Sequence, residues 1–239
     1  MTRRTRLAAL FLPALLLAAG PLRAQHIPSP FTDLPARQAV RVYGGYLLTD
    51  PSVAVSKTER ADFGPRSAPL IGADYSVRLS NAVSFRAGTA FSPAKRRIYR
   101  AGVTSDTNTV SPIFSGQTAS VPLLVTDAGL RLNITGARAW RGMAPYVGAG
   151  AGFVTWLKKA SAAETDIPGA ERFNFGPAFA LTLQAGNDWY VGRRLSVGVH
   201  ATDYLWKLRV PRGFRLDTTV GTSEWTNNYG LSAGAAVHF

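Results

Sequence analysis

Apolar residues recur at every second position in eight separate stretches of this chain. Side chains two apart share one face of a strand, so each stretch makes a strand with one greasy side and one that tolerates polar groups. The clearest case closes the chain. Tyr229, Leu231, Ala233, Ala235, Val237 and Phe239 alternate there with Gly230, Ser232, Gly234, Ala236 and His238. The other stretches are residues 38–48, 69–79, 83–91, 120–134, 144–157, 174–186 and 195–208. Arg41, Asp74, Arg78, Arg86, Asp127 and Arg131 all fall opposite the aliphatic residues. In 144–157, Tyr146 is followed on its own face by Gly148, Gly150 and Gly152, which leaves room for bulky neighbours rather than for a wide pore. The Gly-x-Gly-x-Gly spacing is not a nucleotide loop, because it lies inside a strand with no helix after it.

The N-terminus sets the compartment. Arg3, Arg4 and Arg6 precede an apolar run from Leu7 to Ala19, and Leu22-Arg23-Ala24 offers a small residue at a cut. Residues 1–24 therefore read as a cleaved secretory signal, with the mature chain starting at Gln25. Without that segment the chain holds 23 basic and 14 acidic residues, a net charge of +9. The basic residues are scattered rather than clustered on one helix, and an exported chain meets anionic lipid before nucleic acid, so no nucleic-acid partner is expected. There is no cysteine, hence no disulfide and no thiolate metal site. No later stretch approaches the ~18 consecutive apolar residues of a spanning helix. A mature chain that enters a membrane must then do so as a closed barrel, since only helices and barrels pair every backbone group in lipid.

A soluble β-sandwich would show the same alternation, and the connections separate the two. They run long, short, long, short: about 20, 3, 28, 9, 16, 8 and 16 residues, as in transmembrane barrels with long outer loops and short periplasmic turns. Loops near 49–68, 92–119, 158–173 and 209–224 would be external. Trp140 and Trp189 fall at one set of strand ends and Trp156, Trp206 and Trp225 at the other, joined by Tyr190, Tyr204, Phe173 and Phe175. Two aromatic bands around an aliphatic belt match interfacial girdles. The expected fold is all-β, an eight-stranded antiparallel up-and-down transmembrane β-barrel over 38–239. The Pro-punctuated residues 25–37 form a periplasmic lead-in.

On the signal segment, the Pro145–Phe153 stretch and the Tyr229–Phe239 strand ending in Phe, the chain resembles the small bacterial outer-membrane β-barrel superfamily typified by OmpA, OmpX and OmpW. The resemblance covers about 35–239. It implies an outer-membrane location, a monomer among outer-membrane lipids and lipopolysaccharide, and a final Phe239 read by the outer-membrane assembly machinery. It implies no cofactor and leaves the role open, because that superfamily includes adhesins, stability factors, narrow channels and enzymes.

The residues narrow the role further. Arg41, Asp74, Arg78, Arg86, Asp127 and Arg131 form a lumen charge network that either plugs the barrel through Arg–Asp pairs or lines a narrow path favouring anions. Eight strands leave an interior just filled by side chains, which favours the plug. His200-Ala201-Thr202-Asp203 faintly resembles the His-x-Ser of outer-membrane lipid A deacylases. The hydroxyl, however, is Thr202, and both His200 and Thr202 face the lumen rather than lipid. No catalytic residue is assigned, and no His/carboxylate cluster has metal spacing. The expected role is structural or surface-interacting, not enzymatic. The alternatives are a narrow channel for small anionic or apolar solutes and, behind it, a lipid-modifying enzyme. Lys95, Arg96, Arg97 and Arg100 make the second outer loop basic, and are expected to bind lipopolysaccharide phosphates.

Overall fold

Eight strands close into a ring in the computed structural model of the chain. The described residues are 29–57, 59–104, 109–157, 162–173, 176–215 and 221–239, and Phe31–Phe239 form one contact unit. The expected signal segment, its cut before Gln25, and His26, Asp106 and Phe175 lie outside the described residues. The barrel strands are β1 (Gln38–Thr49), β2 (Ala68–Arg78), β3 (Val83–Thr104), β4 (Thr109–Asn133), β5 (Met143–Trp156), β6 (Ala178–Tyr190), β7 (Leu195–Arg209) and β8 (Ser223–His238). Each pairs antiparallel with the next, and β8 returns to β1.

The stagger of the ring follows from the register. Stepping between hydrogen-bonded partners from Ala39 through Ser76, Arg86, Gly129, Gly150, Thr182, Tyr204 and Asn228 leads back to β1 at Thr49, ten residues further along (49 − 39). With strands ~4.7 Å apart and ~3.3 Å per residue, eight strands and that stagger give a tilt of about 40° and a backbone radius of about 8 Å. A tube this narrow is filled by side chains. The alternation then sorts every strand. Arg41, Tyr43, Asp74, Arg86, Asp127, Arg131, Tyr146, Thr182 and Tyr204 are buried inside, while Val42 (60% exposed), Ile71 (64%) and Leu130 (55%) point out. A soluble protein rarely exposes so continuous an apolar surface, and in a bilayer that surface is solvated by lipid.

Two sequence expectations change. The described residues of 92–119 are not a loop: β3 and β4 pair on beyond the ring as a two-stranded arm, from Ser92↔Leu123 to Thr104↔Thr109. Pro93 and Pro122 are register partners, at the level where pairing of β3 with β2 ends at Phe91 and of β4 with β5 ends at Leu123. Their missing N–H groups are therefore not needed by a second neighbour. The register slips between Arg97 and Tyr99, and Gly116 at φ +80° sits in the slipped segment, a bulge that only glycine accommodates without strain.

The upper aromatic band also differs. Trp156 and Trp206 are in the lumen phase of their strands, and Trp206 is fully buried. Phe173 and Tyr204 are buried as well, and Tyr190 stands inside beside His238. The outward aromatics at the loop end are Tyr46, Phe153, Phe179, Trp225 and Tyr229, with Trp140 and Trp189 at the end that carries the termini. Residues of the lead-in add a short strand, Phe31–Asp33, paired with Arg138–Trp140. A second short pair, Ser52–Ala54 with Arg60–Asp62, lies in the first long connection.

The belt gives a direct test. Leu130→Arg places a cation among Phe85 and Ala149, its register partners, with no carboxylate opposite. In lipid vesicles it should lower unfolding free energy by about 2–4 kcal/mol, read by urea titration. A loss under about 0.5 kcal/mol, ordinary for an exposed site, would mean that this face meets water.

Candidate functional site

Two chemically distinct layers fill the lumen. The layer nearer the termini is ionic and centres on Asp188. Arg41 Nη2 donates to both Asp188 oxygens at 2.9 and 2.8 Å, and Arg131 Nη2 donates to Oδ2 at 2.5 Å. Tyr146 completes the group: Arg41 Nη1 donates to its hydroxyl at 2.9 Å, and the Arg131 guanidinium lies 3.4 Å from its ring centroid. Asp74 stands 4.0 Å from Arg41 Nη1. A second pair sits beside it. Arg86 Nη2 donates to Asp127 at 2.7 and 2.6 Å, and Thr182 Oγ1 donates to the same carboxylate at 3.1 Å.

Glycine makes this layer possible. A Cβ at Gly72 would lie 2.5 Å from the Tyr43 ring, and one at Gly186 would lie 2.6 Å from the Tyr146 hydroxyl. Both tyrosines therefore lie flat across the wall at positions without side chains.

Sequence reasoning omitted Asp188, and Arg78, which it counted in the charge network, lines only the terminal mouth of the lumen. Asp188 shares the even-numbered lumen phase of Thr182, Gln184 and Gly186, so its face was readable; ending the sixth segment at 186 hid it. Arg78 is only half-buried and spends its Nη1 on the Leu34 carbonyl at 2.6 Å, outside the network. The buried set is thus Arg41, Arg86 and Arg131 with Asp74, Asp127 and Asp188. Three buried cations face three buried anions, not four facing two, and Arg78 stands outside this set at the terminal mouth.

The layer nearer the loops is apolar. Leu47, Leu70, Leu123, Val154, Trp206 and Leu208 point inward from the strands, and the long connections fold down onto them. Phe63 from the first connection packs with its ring centroid 4.9 Å from Phe214 of the fourth, 5.2 Å from Tyr99 and 6.3 Å from Phe173 of the third. Small voids touch the ionic layer. One of about 40 Å³ opens at the terminal mouth beside Arg41, Arg78 and His238, and one of about 10 Å³ lies between Arg86, Asp127 and Gln184. Such spaces hold at most a few water molecules.

The basic run Lys95–Arg100 does not form one surface. Alternation in β3 turns Arg96 inward, where it is buried, paired with Glu164 and lies 5.8 and 5.4 Å from the ring centroids of Trp156 and Phe173. Arg97 donates to Asp62 at 3.0 Å and covers Phe114. Only Lys95 and Arg100 are exposed. A strand where a loop was expected is the physical reason.

His200 faces the lumen, edge-on to Tyr43 at 4.9 Å. Neither ring nitrogen meets a hydrogen-bond partner among the described residues, so no contact to Thr202 or Asp203 activates a nucleophile there. Asp203 points to the outer face, since its neighbours Thr202 and Tyr204 are buried. His238 Nε2 and Ser196 Oγ are 2.8 Å apart at the terminal mouth. Phe239, at the seam, accepts from the Gln38 amide and donates to the Gln38 carbonyl at 3.0 and 2.9 Å, with its ring exposed. Among the described residues no group of three His, Asp or Glu side chains is placed to hold a metal.

With the ring, its stagger and its filled lumen described, the class is clear: an eight-stranded antiparallel barrel of the transmembrane type. No family model and no curated protein matches the sequence. Among solved structures, the outer membrane protein OprG from Pseudomonas aeruginosa superposes with a TM-score of 0.51 at 13% identity, over 85% of this chain and 97% of that one. Neisserial surface protein A gives 0.49 at 13% identity, over 84% and 97%. The outer membrane protein AlkL gives 0.48 at 17% identity, over 85% and 90%. At 13% identity the likeness to OprG is one of fold: an antiparallel β-barrel.

The ionic layer makes its own prediction. Asp188→Ala leaves two buried guanidinium groups facing each other and should cost about 3–5 kcal/mol, read by urea unfolding in vesicles. Arg86→Met with Asp127→Leu should cost less than either change alone, because the pair leaves together. A double variant as unstable as the sum of the singles would show that the pair does not act as a unit.

Proposed function

We propose that the chain is a bacterial outer-membrane protein whose barrel is a closed anchor, holding a folded loop end at the cell surface for structural or interaction purposes. The observation that carries this reading is the double stop in the lumen: a charge-balanced ionic layer followed by an apolar plug to which the outer connections contribute Phe63, Phe173 and Phe214. A channel for ions needs a continuous polar path, and apolar constrictions of this kind exclude water. In this reading both termini face the periplasm, the β3–β4 arm projects outward, and the exposed Phe239 ring is available to the assembly machinery.

Single cysteines test orientation and closure together. At Gln117 and Gly169 they should react with an impermeant maleimide on whole cells, while at Asn81 and Gly192 they should react only after lysis. The reversed pattern would invert the barrel, and equal labelling would remove it from the outer membrane. In planar bilayers the purified protein should show no steady conductance. Stable ion-selective openings would replace the closed anchor by a narrow channel.

A further inference from the structure

A groove of about 1000 Å³ runs along the outer wall of the barrel at the loop end of β6, β7 and β8, and its charged lining is entirely basic among the described residues. Arg172, Lys207, Arg209, Arg212 and Arg215 line it, together with Phe179 and Trp225. Trp206 and Leu208 are buried in the plug, so alternation in β7 turns Lys207 and Arg209 outward. Lys207 is the register partner of Trp225, and its ammonium lies 5.1 Å from that ring.

The groove is built rather than incidental. Phe214 is anchored in the plug and fixes the short 3₁₀ turn Arg212–Phe214. The Gly213 amide donates to the Ala170 carbonyl at 2.7 Å, which ties the connection after β7 to the one before β6. Arg215 Nε donates to the Val210 carbonyl at 2.7 Å, and Arg172 donates to the carbonyls of Ile167 and Thr165 at 2.9 and 2.7 Å. Both guanidinium groups are thereby oriented with donors to spare. Two carboxylates next to lining residues are engaged elsewhere: Glu171 accepts from the Ala101 amide, and Glu224 accepts from the Ala54 amide and pairs with Arg60.

Height identifies the occupant. Phe179, Trp225 and Tyr229 belong to the aromatic girdle that marks the upper edge of the hydrocarbon layer. Lys207 is level with Trp225, and Arg209, Arg212 and Arg215 follow it toward the loop end, so these cations stand at the level of lipid phosphates, where Arg and Lys form charge-assisted hydrogen bonds and neighbouring acyl chains can lie along the apolar belt below. We propose that this groove binds the phosphorylated disaccharide of lipid A, the membrane end of lipopolysaccharide. The proposal rests on the outer-membrane reading above. It moves the polyanion contact from the Lys95–Arg100 run to the opposite side of the loop end.

The test uses the full-length barrel in detergent micelles, with bisphosphorylated lipid A as the probe. Replacing Lys207, Arg209 and Arg212 by Gln should weaken binding by on the order of tenfold or more, while Lys95→Gln with Arg100→Gln should change it less than about twofold. Wild-type affinity should fall steeply with salt, lipid A lacking phosphates should bind at least as weakly as the triple variant, and inorganic phosphate at equal concentration should not compete. Heat-modifiable gel mobility confirms that each variant is folded. Unchanged affinity of the folded triple variant, no binding by wild type, or full competition by inorganic phosphate would each overturn the groove as a lipid A site. Failure of the outer-membrane reading would show instead in the whole-cell labelling, which none of these changes affects.

Discussion

Closure of the hydrogen-bonded ring between β8 and β1 is the constraint from which the rest follows. A bilayer offers no partner for an open strand edge, so the last strand must find the first. Once it does so with a ten-residue stagger, the circumference, tilt and interior volume are set together. The side chains must then fill a tube about 8 Å in backbone radius. Flat-lying tyrosines over Gly72 and Gly186, and the row Gly148, Gly150 and Gly152, are the local solutions to that crowding.

The two lumen layers solve different problems. Near the termini, burying three cations is tolerable because Asp188 accepts from two of them at once, Asp127 accepts from the third, and the Asp74 carboxylate stands 4.0 Å from Arg41. Such a network is costly to break singly and adds little beyond what an apolar core would give, so its value lies in holding one arrangement of the strands. Near the loops the same tube is packed like the inside of a soluble protein. Because Phe63, Phe173 and Phe214 come from three different connections, that plug also fixes the loops. The basic groove inherits its shape from this arrangement, since Phe214 and the Gly213–Ala170 hydrogen bond position its upper wall.

Much of this was legible in the sequence, and the failures have definite causes. A period of two is unambiguous about faces, so Arg41, Asp74, Arg86, Asp127 and Arg131 read correctly as lumen residues. The same period placed Trp206 inside, but reading tryptophans by position along the strand rather than by phase put it in the girdle. The β3–β4 arm was hidden by Pro93, Pro112, Pro122 and a run of charge, all ordinary loop signals. The facing prolines and the bulge at Gly116 satisfy strand geometry by tertiary means that local propensity does not record. The groove was invisible for another reason. Arg172 is far from Lys207 in sequence, and only folding of two connections onto one plug brings them together.

Amide hydrogen exchange of the barrel in lipid nanodiscs tests ring closure most directly. Gln38 and Phe239 exchange both backbone hydrogen bonds, so by alternation the pairs Val40↔Val237 and Val42↔Ala235 do so too. Closure predicts that the amides of Val40, Val42, Ala235 and Val237 are protected as strongly as those in the middle of the β6–β7 pair. Fast exchange confined to those seam amides, with β6 and β7 still protected, would mean an open sheet and would contradict the account.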